Sequence, residues 1–209
     1  MSGMKPTIAS TRELGMSARG PVHLRAKRLA DDVMAIEMGV DYEKAPVPER
    51  FYYADMCDVV KDRVGLSLQF GKLIPGTSQL RTKVEIGFPE DQFVRQLWSS
   101  SRSFHETVRR IVNSVLPPEI INLGVTDKVQ TLRSNNVFMA VIGNEAVLDF
   151  YYISPGDIHY VQAQKKHEVQ LEPVIRIMLG TAVLYEFLEK CRPYADELNA
   201  LLLDEEHKP

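Results

Sequence analysis

The sequence is poor in several things at once, and each scarcity excludes something. Cysteine is scarce: Cys57 and Cys191 are the only two, and neither belongs to a CxxC pair. A chain of 209 residues buries enough apolar surface to fold without cross-links, so both read as free thiols in a reducing compartment. Long apolar runs are missing. The strongest, Val174–Leu188, carries Arg176 and Glu186 and falls short of the roughly 20 residues that span a bilayer. Met1–Ser10 has no apolar h-region, so the expectation is a soluble, cytoplasmic protein without a secretory signal and without a membrane partner. Basic charge is not in excess. The chain has 25 Lys+Arg against 28 Asp+Glu, a net charge of −3, which argues against a polycationic nucleic-acid coat.

Catalytic and cofactor motifs are missing as well. There is no GxGxxG or GxxxxGK[ST] phosphate loop, no GxSxG elbow and no HExxH pair,. His159 and His167 flank one expected strand. On a regular strand they lie about 26 Å apart, too far to share a metal. Ser99, Ser100, Ser101 and Ser103 approach His105 in sequence, but without a spacing that sets up a general base. Small hydroxyls there suit close helix packing or a bend. The expectation is a non-enzyme with no cofactor and no metal.

What is present is ordinary in bulk, 44% hydrophobic and 25% charged, and informative in order. Residues 1–20 have no period and read as a mobile arm. Residues 21–50 read as an N-terminal helix opened by Pro21, with Ala26, Leu29, Ala30, Val33 and Ile36 at helical spacing, and then a linker holding Pro46 and Pro48,. From Phe51 the period changes to two. Phe51–Val60 reads as a strand. Val64, Leu66, Leu68 and Phe70 alternate with small or polar residues. After the Pro75-Gly76 turn signal, Leu80, Thr82, Val84, Ile86 and Phe88 form the clearest strand of all,. Pro89 then opens a long amphipathic helix that closes at Pro117-Pro118.

The same order returns in the second half. Leu68-Gln69-Phe70 aligns with Leu148-Asp149-Phe150, and Pro75-Gly76 with Pro155-Gly156, both 80 residues apart. Pro89 aligns with Pro173, 84 apart, which implies a four-residue insertion. The domains read as a first β-β-β-α unit over 51–118 and a second over 119–209, the latter ending in an acidic helix opened by Pro193. The fold class expected is α+β. It has two tandem related units, each an antiparallel sheet packed on a long helix, plus the N-terminal helix and the C-terminal acidic helix.

Val147-Leu148-Asp149-Phe150 followed by Pro155-Gly156 resembles the EFxLDFxxxxPG pattern of a small bacterial domain family of unknown function. The first copy carries Leu68-Gln69-Phe70 and lacks the acid. The resemblance covers roughly residues 51–103 and 136–191. It implies no catalytic residue.

Two groups of residues are candidates for binding. Arg95, Arg102 and Arg109 recur every seven residues beside Arg110, so they share one helix face. Such a stripe holds phosphates or carboxylates, or is a solvated face paired with acids. The segment Val174–Cys191 reads as a helix apolar almost all round, which demands burial on most sides. Ile175, Met178, Leu179, Gly180, Val183 and Phe187 are its candidate oligomer interface. Charge is polarised: residues 1–28 hold six basic groups and one acid, residues 194–209 five acids and one Lys. The function expected is a non-enzymatic, oligomeric protein-interaction module: an adaptor, a chaperone-like protein or an assembly component. It binds a protein partner or itself, with a homodimer as the favoured state. The alternative is a single-stranded nucleic-acid binder. It would use Arg81, Lys83, Lys165 and Lys166 with Tyr151, Tyr152 and Tyr160 on sheet faces, together with the arginine stripe.

Overall fold

In a computed structural model of the chain, the residues described are 20–30, 33–61, 63, 65–89, 92–93, 121–122, 129–157 and 169–206. They fall into two units, Met1–Ala45 with Ser154–Leu171, and Pro46–Ile153 with Glu172–Pro209.

The first unit is built on a hairpin, not a helix. Strands β1 (Val22–Ala30) and β2 (Val33–Val40) pair antiparallel, from Val22 opposite Val40 to Ala30 opposite Val33. The Asp41 amide donates to the Pro21 carbonyl at 2.7 Å and closes the open end. The N-terminal helix expected from Pro21, ahead of the linker holding Pro46 and Pro48, is therefore corrected. Met34, Ile36, Met38 and Val40 also satisfy a period of two, and the antiparallel partner decides between the two periods.

The second unit contains β3 (Phe51–Ala54), β4 (Met56–Lys61), β5 (Leu66–Leu73), β6 (Gln79–Phe88), β7 (Ile121–Asn122), β8 (Gln130–Arg133), β9 (Asn136–Ile142), β10 (Glu145–Tyr152), β11 (Glu172–Gly180) and helix α1 (Thr181–Glu206). Two antiparallel meanders, β4-β5-β6 and β9-β10-β11, form the centres of two sheets. One sheet is four-stranded, in the order β3-β11-β10-β9. The other is five-stranded, in the order β4-β5-β6-β7, with β8 also paired to β6. The expected strand Phe51–Val60 breaks at Asp55, where the chain leaves one sheet and enters the other. The Asp55 amide donates to the Gly71 carbonyl at that crossing.

Both inner faces supply one core. Leu66, Leu68, Phe70, Val84, Ile86 and Phe88 belong to the same buried cluster as Leu148, Phe150, Ile175, Ile177 and Leu179. Phe70 meets Phe150 edge-on at 5.9 Å and Phe187 of α1 at 5.7 Å. Phe93 bridges Phe88 and Phe187. Each such ring contributes about 1.5–3 kcal/mol by leaving water, plus the aromatic pairing term. The Pro75-Gly76 signal is a tight turn. Thr77 donates to the Ile74 carbonyl, and Gly76 has φ 76°, the value a type II turn needs at its third residue,.

The expected α+β fold, sheets each packed on a long helix, is thus overturned. More than half of the described residues lie in strands, in three sheets. The helix read over Val174–Cys191 is two elements. Glu172–Gly180 is β11, and α1 starts only at Thr181. Ile175, Ile177 and Leu179 are buried while Val174, Arg176 and Met178 are half-buried. That is strand alternation with both faces partly covered, and on a helical projection it reads as apolar all round. Pro173 does not open a helix. It lies in β11 opposite Tyr151. The separate helix expected at Pro193 is also corrected, because Pro193 lies inside α1. Of the helix expected after Pro89 only Gln92 and Phe93 are described. The arm over 1–19 lies outside the described residues.

Candidate partner-binding face

Residues paired across neighbouring strands share a face of the sheet. On the outward side of the four-stranded sheet one row reads Phe138, Asp149, Arg176, Phe51, across β9, β10, β11 and β3. The next row reads Ala140, Val147, Met178, Tyr53, and a third begins Ile142, Glu145, Gly180. Most of these side chains are apolar, and several are open to water: Phe51 is 64% exposed, Tyr53 52% and Ile142 75%. The Phe51 and Tyr53 rings touch edge-on at 5.9 Å.

Within this apolar face sits one ion pair. Arg176 Nε donates to Asp149 Oδ1 at 2.6 Å and Nη2 to Oδ2 at 2.7 Å, a two-pronged contact,. The Asp149 side chain is buried, and that of Arg176 is about two-thirds buried. The hydrogen bond to Asp149 raises the guanidinium above its ordinary value. Tyr151 is buried on the same strand. Burial, and then the Asp149 charge, push its phenol up to about 12. The pair cancels its own charge, while Glu145 of the third row is exposed.

The corresponding side of the five-stranded sheet is polar. One row reads Asp58, Gln69, Glu85, Thr131. Ser67 Oγ donates to Glu85 Oε1 at 2.5 Å and Gln69 Nε2 to the same oxygen at 3.2 Å. Thr82 Oγ1 donates to Gln69 Oε1 at 3.4 Å.

A third cluster ties α1 to β4. Lys190 Nζ donates to the Cys57 carbonyl at 2.8 Å and to Glu186 Oε1 at 2.9 Å, and lies 3.3 Å from Asp58 Oδ1. Burial opposes the lysine's charge, but Glu186 and Asp58 outweigh it and hold the ammonium above the usual lysine range. Burial pushes both the Cys57 and Cys191 thiols up. A lysine kept protonated and two thiols kept neutral are poor nucleophiles. Among the described residues no group of His, Cys, Asp and Glu is placed to hold a metal. Among the described residues no helix is long and apolar enough to cross a membrane.

The candidates read from sequence scatter. Arg95, Arg102, Arg109 and Arg110 lie outside the described residues, as do Tyr160, Lys165 and Lys166. Ile175, Leu179 and Phe187 are consumed by the chain's own core. Met178 turns to the outward face, Gly180 is exposed at the end of β11, and Val183 is half-buried with its carbonyl accepting from the Cys57 thiol at 3.6 Å. They do not form one face. Tyr151, proposed to stack bases, is 3% exposed. Sequence reasoning missed Phe51, Tyr53, Phe138 and the Asp149–Arg176 pair. The available signal was Asp149 itself, a lone acid inside an apolar strand where the first copy has Gln69. No protein-family model, no curated protein and no solved structure matches the chain.

Proposed function

We propose that the protein is a non-enzymatic, self-associating protein-interaction module whose contact surface is the outward face of the four-stranded sheet. The observation that carries this reading is the exposed, paired Phe51 and Tyr53 rings on edge strand β3, continued across the same face by the half-buried Met178, Val147 and Ala140. Contiguous apolar surface of this kind marks sites of protein contact. The Asp149–Arg176 pair cancels its own charge, and the exposed rings favour an apolar complementary surface. A second copy of the chain supplies one.

Light scattering tests this. The chain is expected to run above its 23.7 kDa monomer mass at high concentration. Phe51→Lys with Tyr53→Lys should return it to the monomer without lowering its unfolding midpoint, since both rings are exposed. A native chain that stays monomeric at high concentration overturns the proposal.

A further inference from the structure

We infer that the second unit is a dimer built inside one chain: two copies of one strand-exchanging motif, each completing the sheet of the other. The inference goes beyond the proposed function and does not depend on the outward face.

The two meanders correspond residue for residue. In the first, Leu68 pairs with Ile86, Phe70 with Val84 and Leu66 with Phe88. In the second, Leu148 pairs with Ile177, Phe150 with Ile175 and Ala146 with Leu179. The middle strands are offset by 80 residues and the third strands by 91. The insertion between them is therefore eleven residues, not the four that aligning Pro89 with Pro173 implies. Both meanders carry a bulge at the same place. The register slips between Phe70 and Gly71 in one and between Phe150 and Tyr151 in the other. Bulges are positional features of a fold, and two at matching positions are not expected from unrelated hairpins. Past the third strand the correspondence continues, with Phe93 and Leu184, again 91 apart, both fully buried.

The leading strands cross over. β3 precedes the first meander but pairs parallel with β11 of the second, Tyr52 opposite Ile177. β8 precedes the second meander but pairs parallel with β6 of the first, Leu132 opposite Ile86. The bonds at the crossings match as well. Asp55 donates to the Gly71 carbonyl and Asn135 to the Tyr151 carbonyl, at 3.0 and 3.1 Å. Each half thus completes the sheet of the other, which is the arrangement of a two-fold, domain-swapped dimer.

The test is a specific protease site inserted between residues 123 and 128 of the full chain. The uncut protein should elute and unfold as the native chain does. After cutting, the two fragments should elute together at the mass of the intact protein. Because the first unit also draws on both fragments, the cut is repeated with Tyr52→Pro in β3 and Leu132→Pro in β8, the crossing strands. These variants should weaken the association, and fragments held equally well without those strands overturn the inference. Fragments that part without denaturant overturn the inference, whether or not they stay folded. A second measurement needs no cut. Leu68→Ala and Leu148→Ala, at equivalent positions, should each lower the midpoint of one shared unfolding transition. Two transitions, each moved by only one variant, would also overturn it.

Discussion

The two sheets of the second unit share an inner face in kind and differ in their outward faces. Inside, both present β-branched, leucine and phenylalanine side chains to one cluster. Outside, the row Asp58, Gln69, Glu85, Thr131 of one sheet corresponds to the row Phe138, Asp149, Arg176, Phe51 of the other at matching strand positions. The core face is constrained by packing density, so its residue types are held narrow. The outward faces are only partly covered: Ser67, Gln69, Asp149 and Tyr151 are buried there, while Phe51, Tyr53 and Ile142 are exposed. The polar sheet satisfies its amide and carboxylate with neighbouring hydroxyls. The apolar sheet buries one charge pair among rings and leaves other rings in water.

The sharpest way to break this comparison is in the shared core. Phe70→Ala and Phe150→Ala should each cost about 3–5 kcal/mol in denaturant titration. Phe70 should cost more, because it contacts both Phe150 and Phe187. Trivial losses, or two separate transitions each moved by only one variant, would mean that the two sheets do not share one core.

The next test separates the outward faces at equivalent positions. Asp149→Ala strands a largely buried guanidinium and should cost about 3 kcal/mol. Gln69→Ala removes one bond to the Glu85 carboxylate, which keeps Ser67, and one from Thr82, and should cost about 2 kcal/mol. Replacing the whole pair, Asp149→Leu with Arg176→Met, should recover most of the first loss. A single Asp149 variant no worse than Gln69→Ala would erase the distinction.

The smallest expected effect is alkaline. In the fold Tyr151 keeps its proton up to about pH 12, whereas an ordinary phenol releases it near about pH 10. The folded state therefore holds a proton that the unfolded chain loses. The associated stability is whole below about pH 10 and is lost as the pH rises through about 12. Its counterpart in the other sheet is Gly71, which has nothing to titrate. Tyr151→Phe should flatten this limb in urea midpoints followed from neutral to alkaline pH, alongside tyrosinate absorbance.

Parts of this were legible in the residues. The alternation of Leu80, Thr82, Val84, Ile86 and Phe88 marked β6, and each of the five is buried. Pro75-Gly76 marked a turn that does require a positive φ. Strand β5 was harder, because Leu66 to Gly71 are buried on both faces and the expected single buried face does not exist. The segment 174–191 misled for the same reason. An apolar strand running into an amphipathic helix has the composition of one apolar helix. The Asp149–Arg176 pair was invisible, since its members lie 27 residues apart and meet only through register.

By itself, the sequence determined part of the local structure: the Pro75-Gly76 turn, the alternation of β6, and which catalytic and cofactor motifs are missing. These rest on φ/ψ preferences and side-chain periods that act over a few residues. The tertiary structure alone decided that β3 and β8 cross to the opposite sheets, that 174–180 is strand rather than helix, and that one outward face is apolar and the other polar. Those outcomes depend on which backbone edge supplies the missing hydrogen bonds and which surface covers which face. Both are set by partners distant in the chain.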